Sequence, residues 1–348
     1  MKLKKITAIA LSLVMLFGIT VLSASAVSMD EGKEALQQQF IYGVGPETED
    51  YAIDYRYYSP AGEGDTQKYP LVIWLHGMGD GAEEGYQAVK SDIANWTSDE
   101  YQSRFKDSGG AFIFAPRSLE EQGLFWTDSL IYPLRAAIDD FIAKNKDNID
   151  VSRIYIGGYS MGGKMTLKMA VAYPEMFAAI FPICPAWAPG AEQAELIADI
   201  PVWLTSGKLD PLVNYYASVL PTWNTITEKS NVAADCRFST LKRTAYSNGW
   251  PTTSSHHAWY AVNADMFSDK NGDYPAMTTV DGLGNAVTLE YPDGMISWLS
   301  SFTSDYDGAA ATDSGNEAAQ GGALTASFID VIINWIKNIL ETIKALFA

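Results

Sequence analysis

The sequence predicts an α/β protein in which a mostly parallel central sheet carries helices on both faces. Two observations predict it. Short apolar runs bounded by Gly, Pro or Asp alternate with stretches of helical spacing, and strand-helix alternation is the pattern of a parallel sheet covered on both sides. The residues with most chemical potential, His76, Ser160 and Asp210, follow directly on such runs, at the carboxyl ends where an open α/β sheet collects its ligands.

In chain order, residues 1–26 combine a basic start (MKLKK), an apolar run and the small-residue site Ala24-Ser25-Ala26, which reads as a secretory signal peptide. The protein is therefore expected to be secreted or extracellular. Residues 27–305 have the composition of one catalytic-size domain. Within them "LVIWL" (71–75), "AFIFA" (111–115), "RIYIGG" (153–158), "AAIFPI" (178–183) and "PVWLTSG" (201–207) read as buried strands. "SLIYPLRAAIDDFIAKN", "MGGKMTLKMAVAYP" and "VNYYASVLPTWNTITEK" read as helices. "YAIDYRYYSP" alternates like an exposed antiparallel edge, and "CRFSTLKRTAY" reads as a late strand on the opposite side.

Residues 306–324 lose nearly all large apolar side chains, so they cannot offset the entropy of ordering and read as a flexible linker. Residues 325–348 carry Asp330, Asn334, Lys337, Glu341 and Lys344 as one polar stripe on an otherwise apolar helix. Such a helix suits a membrane surface, with the protein then held at the cell surface, or a protein partner, or the domain itself.

The formal net charge of −18 repels phosphate backbones and sets nucleic acid aside as a partner. Signal cleavage would remove Lys2, Lys4 and Lys5 and no acid, leaving the remainder more acidic still. Two cysteines, Cys184 and Cys236, are too few for a disulfide scaffold; they either pair after export or are buried as small apolar residues. Asp269, Asn271 and Asp273 alternate as in a calcium loop, but Tyr274 stands where that loop needs glycine and Val280 where it needs a bidentate Glu. No metal site is expected.

The stretch "YIGGYSMGGKM" (155–165) sets Ser160 in a G-x-S-x-G pattern between a strand and a helix. That is the setting of a nucleophile elbow, a sharp turn that exposes Oγ above the sheet. A serine hydroxyl needs a base, and the chain has only His76, His256 and His257. His76 in "WLHGMGDG" follows an early strand and shapes a loop, whereas "SSHHAW" lies where the base falls in the order Ser, acid, His. Local sequence leaves the two adjacent histidines open. The orienting acid, due between serine and histidine, is supplied by Asp210 in "LTSGKLDPLV", although Asp-Pro also starts turns. The main-chain N–H groups of Met78 and Met161 are the expected oxyanion hole.

Taken together, "PLVIWLHGMGD", "APR", "DVSRIYIGGYSMGG", "YPEMFAAIFPICP", "PVWLTSGKLDPLV" and "HHAW" resemble the α/β-hydrolase superfamily. Within it they resemble secreted esterases and predicted peptidases related to feruloyl esterases, polyhydroxybutyrate depolymerases and prolyl oligopeptidase-like enzymes. The resemblance spans nearly all of residues 50–300 and implies the α/β-hydrolase fold. Its His-x-x-Trp motif maps onto His256 and Trp259, making His256 the base. It also implies a cofactor-independent serine esterase acting through an acyl-enzyme, on acyl or feruloyl esters linked to plant polysaccharides. Trp259, beside that base, and Trp187, beyond a strand end, are candidate substrate contacts. A serine peptidase is the alternative within the enzyme class, because triad geometry does not separate ester from amide. A carbohydrate- or surface-binding module with a silent catalytic frame is the alternative outside it.

Overall fold

The computed structural model describes residues 36–48, 51–81, 93–241, 255–263, 277–289 and 294–309. The expected signal segment 1–26, the linker beyond residue 309, the terminal helix 325–348 and the residues Asp269, Asn271 and Asp273 lie outside the described residues.

Nine strands form one sheet: β1 (Ile41–Val44), β2 (Asp54–Tyr58), β3 (Tyr69–Leu75), β4 (Phe112–Pro116), β5 (Ile149–Tyr159), β6 (Ala179–Ile183), β7 (Trp203–Gly207), β8 (Arg237–Leu241) and β9 (Met277–Asp281). Their order is β1-β2-β4-β3-β5-β6-β7-β8-β9. The six from β4 to β8 run parallel, and β1, β2 and β9 are antiparallel additions at the two ends. All seven residues of β3 are buried, which explains why it reads as a continuous apolar run rather than an alternating one.

The described helices are α1 (Asp99–Gln102), α2 (Ile131–Lys144), α3 (Met161–Ala172), α4 (Ala191–Leu196), α5 (Leu220–Lys229), α6 (Trp259–Asn263) and α7 (Met295–Leu299). Both faces of the sheet are covered. On one, α3 packs on β5, β6 and β3, and α2 packs beside it. On the other, Trp74 of β3 stacks on Phe181 of β6, and Trp96, in the 3-10 turn Ile93–Thr97, stacks on Phe181 in turn. The Trp96 indole N–H donates to the Asn263 carbonyl at 3.1 Å, tying α6 to that turn.

Two expectations are corrected by the structure. The segment 51–60 is antiparallel but not an edge, since β1 covers it; β1 is four residues long, shows no alternation of burial and so leaves no periodic signal. The late strand β8 lies towards the opposite end of the sheet, as expected, with β9 beyond it. The helix expected over "VNYYASVLPTWNTITEK" is a π-helical turn, Tyr215–Val219, followed by α5, because Pro221 lacks the N–H that a continuous α-helix requires.

The packed chain also runs past 305. Arg135 on α2 donates through Nη2 to the Tyr306 hydroxyl and to the Ala309 carbonyl, both at 2.8 Å, and Tyr306 is buried. A buried guanidinium needs acceptors, and the residues after 305 supply two of them.

Candidate active site

Ser160 stands between β5 and α3 with φ 57° and ψ −113°, a conformation costly for a side chain that is not glycine. It persists because its neighbours fix it. Its N–H donates to Ile183 O at 2.9 Å, and its carbonyl accepts from Lys164 N–H at 2.9 Å and Ala186 N–H at 3.1 Å. The glycines of the pattern are required by close approach. A Cβ at Gly158 would lie 2.3 Å from the Leu75 carbonyl oxygen, and one at Gly162 only 2.0 Å from the same atom. The turn therefore presses against the carboxyl end of β3, leaving Ser160 at the N-terminus of α3, where first-turn N–H groups have no intrahelical acceptor. That of Met161 is among them.

Asp210 follows β7 and serves two partners. Its Oδ1 accepts from Leu212 N–H at 2.8 Å and Val213 N–H at 2.9 Å, closing the Asp-Pro turn. Its Oδ2 lies 2.8 Å from His256 Nδ1. Turn former and imidazole partner are thus the same residue, one oxygen for each. With Nδ1 donating to the carboxylate, Nε2 is the basic nitrogen of the ring. The His256 backbone is pinned as well: a Cβ at Gly207 would meet Ser255 O at 2.3 Å, and the Cys184 thiol reaches His256 O at 3.4 Å.

Cys184 is the common neighbour of this assembly. It follows β6 with φ 35°, is fully buried, and has atoms within 4.8 Å of ligand-type atoms of Asp210 and His256. Burial, Asp210 opposite it adding to the effect, pushes its thiol well above the ordinary 9, with the Ser160 N–H opposing. Both cysteines are buried and free, so of the two expectations the structure shows the small buried residue. Asp210 and Cys184 thus both meet His256, the carboxylate at the ring Nδ1 and the thiol at the carbonyl.

The other two histidines have other surroundings. His76 is buried in a self-consistent neutral state, its Nε2 accepting from Ser118 N–H at 3.0 Å and its Nδ1 facing the Gly77 carbonyl at 2.7 Å. His257 is half-buried; burial, and the neighbouring His256 after it, lower its pKa below the ordinary 6.5, partly opposed by Asp210. Its ring lies against Trp259 and Tyr260, and it makes no hydrogen bond through Nδ1.

Met78 is in the loop 76–81 after β3 and is 45% exposed, while Met161 is buried. The two tryptophans offer little surface in this conformation. Trp187 is 1% and Trp259 7% exposed. Trp187 lies under the Lys168 ammonium at 4.7 Å, and Trp259 stacks on Tyr159 at 4.0 Å between ring centroids. Tyr159 in turn donates its hydroxyl to Asp80 of the loop.

Sequence reasoning missed the residues that hold this loop. Glu120, in "SLEEQG", reads as one more acid in an exposed turn, yet it is buried and accepts the Gly79 N–H with both oxygens, at 2.9 and 3.1 Å. Its position just past β4 was the available signal, by the same strand-end rule that points to Ser160 and Asp210.

Against known proteins, the model of the Phospholipase/Carboxylesterase family matches residues 127–247. A thermostable esterase superposes with a TM-score of 0.54 at 27% identity, over 67% of this chain and 62% of its own. An acylaminoacyl peptidase, solved in complex with Z-Gly-Gly-Phe-chloromethyl ketone, superposes with a TM-score of 0.44 at 17% identity, over 68% of this chain and 42% of its own. The homoserine O-acetyltransferase of Corynebacterium urealyticum is 36% identical over 106 residues, which are 27% of this chain and 26% of that protein. The chain thus spans about a quarter of the curated relative it matches and less than two thirds of the esterase.

Proposed function

We propose that this chain, which has the α/β-hydrolase fold and resembles esterases of that superfamily, hydrolyses carboxylic esters through Ser160, His256 and Asp210. The observation that carries the reading is the buried 2.8 Å contact between Asp210 and His256, in a cluster joined through Cys184 to the strained turn that presents Ser160. In this reading His256 Nε2 takes the Ser160 proton as Oγ attacks the ester carbonyl, and Asp210 stabilises the imidazolium that results. The N–H groups of Met78 and Met161 hold the oxyanion, a contribution of about 3 kcal/mol per donor. His256 then protonates the leaving alcohol, and a water molecule activated by the same imidazole releases the acyl group.

The finer substrate, an acyl or feruloyl ester on a plant polysaccharide, is part of the proposal and follows the sequence resemblance. So is export, which follows the basic and apolar start of the chain. The test is turnover by the full chain and its Ser160→Ala variant on p-nitrophenyl acyl esters, methyl ferulate, acetylated xylan and chromogenic peptides. Serine-dependent ester cleavage supports the reading, serine-dependent cleavage of peptides alone replaces it with a peptidase, and turnover that survives in Ser160→Ala ends it.

A further inference from the structure

We propose that Glu120 is a positioning residue whose carboxylate is the template on which the loop 76–81 folds, so that it sets the Met78 N–H for the oxyanion. This rests on the ester-hydrolase reading above and extends it to a residue that touches no reacting atom.

The loop cannot fix its own geometry. Its sequence, HGMGDG, has glycine at every second position, Gly79 with φ +93°, and glycine is the residue that loses most conformational freedom on ordering. Its main-chain contact from Asp80 N–H to Gly77 O is long, at 3.4 Å. Most of its anchors come instead from the segment after β4. Glu120 accepts the Gly79 N–H with both oxygens and the Gly81 N–H besides. Ser118 N–H donates to His76 Nε2, and the Trp126 indole N–H donates to His76 O at 2.9 Å. Arg117 Nη1 donates to Gly81 O at 3.2 Å, and Arg117 is itself locked by Asp54, whose two oxygens lie 2.8 and 2.9 Å from its Nε.

Within this clamp Glu120 receives the loop N–H groups of Gly79, the residue next to Met78, and of Gly81. Glutamine would not replace it. An amide has one acceptor oxygen, and its NH2 would face the other donor. Burial raises the pKa of the Glu120 carboxyl; the Gly79 and Gly81 N–H groups and the Ser118 hydroxyl oppose this, and Asp80 adds to it. Among the described residues, Arg117 and Glu121 are charged groups on its own segment, and His76 is on the loop.

The experiment compares wild type with Glu120→Gln on p-nitrophenyl acetate, together with a boronic acid that forms a tetrahedral adduct on the serine. A displaced oxyanion donor lowers kcat about 100-fold, leaves KM within about threefold and weakens the boronate by a factor that tracks kcat. The acid limb of the wild-type pH profile also steepens where Glu120 takes a proton, and this steepening disappears in Glu120→Gln. Wild-type kcat and boronate affinity in a folded Glu120→Gln overturn the proposal. Should that variant not fold, Glu120→Asp, which keeps the charge and withdraws it by one methylene, carries the same expectations. Loss of fold in both would make Glu120 a residue of general stability and overturn the proposal too. The two readings fail separately: turnover retained in Ser160→Ala removes the ester-hydrolase reading, whereas serine-dependent turnover indifferent to Glu120 removes only this one.

Discussion

Cys184, Glu120 and Tyr159, none singled out in sequence as a site residue, make contacts around the site, with the His256 carbonyl, the Gly79 N–H and Asp80 respectively. Ser160 and Asp210 were legible because strand ends, glycine spacing and chain order point to them, whereas chain order left His256 and His257 open and the family resemblance pointed to His256. Their neighbours were not legible, since a lone cysteine after an apolar run looks like core and an acid in a turn looks like surface. Replacing Ser160 with Ala should lower kcat/KM on an activated ester by about 10³-fold or more, and Asp210→Asn by about 10⁴-fold through loss of the correct tautomer. His256→Ala should lose turnover to a similar extent, while His257→Ala keeps it within about threefold, as kinetics of the two variants will show. Stability should register His257 instead. Its lowered pKa favours the neutral ring in the fold, so the unfolded chain binds the proton first as pH falls through 6.5. The contribution is present above 6.5 and lost below it; melting curves on either side of that pH should fall less steeply in His257→Gln than in wild type. Neither Cys184 nor Cys236 should react with iodoacetamide in the native state, and both should react on unfolding.

At the scale of elements, the elbow shows how a pattern becomes a constraint. Gly158 and Gly162 are needed because β3 passes so close that its Leu75 carbonyl would lie inside any added methyl group. Gly162→Ala should therefore destabilise the fold by about 3 kcal/mol, measured by urea denaturation, with more effect than the same change at Gly190, where the nearest atom is a flexible side chain 3.8 Å away. The strands β3 to β7 were readable as apolar runs bounded by Gly, Pro or Asp, and the helices α2 and α3 by their spacing. The elements that were not, β1, β9, α4, α6 and α7, have four to six residues each, too few for a period to register. The sheet end at β2 was misplaced for that reason. A strand is recognised by its own pattern, but an edge is defined by what lies beside it.

For the whole molecule, the parallel run β4-β3-β5-β6-β7-β8 brings the ends of four strands together. The loops after β3, β5 and β7, with Cys184 after β6, reach one place although the first and last lie more than a third of the chain apart. Arg135 on α2 lies over Tyr173 and Tyr306, at 4.8 and 5.5 Å from their ring centroids, and binds residues beyond the expected domain boundary at 305. Tyr306→Phe, which removes one acceptor from a buried cation, should cost about 1.5 kcal/mol, read as a lower urea midpoint with unchanged slope.

The sequence by itself determined the class of fold, the nucleophile's turn and the candidate acid, since each depends on local periodicity, glycine spacing or position after a strand. Only the tertiary structure decided which histidine meets Asp210, that Cys184 lies buried and unpaired among them, and that Glu120 holds the loop of Met78. Those facts are contacts between segments distant in the chain. Their energies depend on burial and on hydrogen-bond distance, neither of which exists until the sheet has brought the strand ends together.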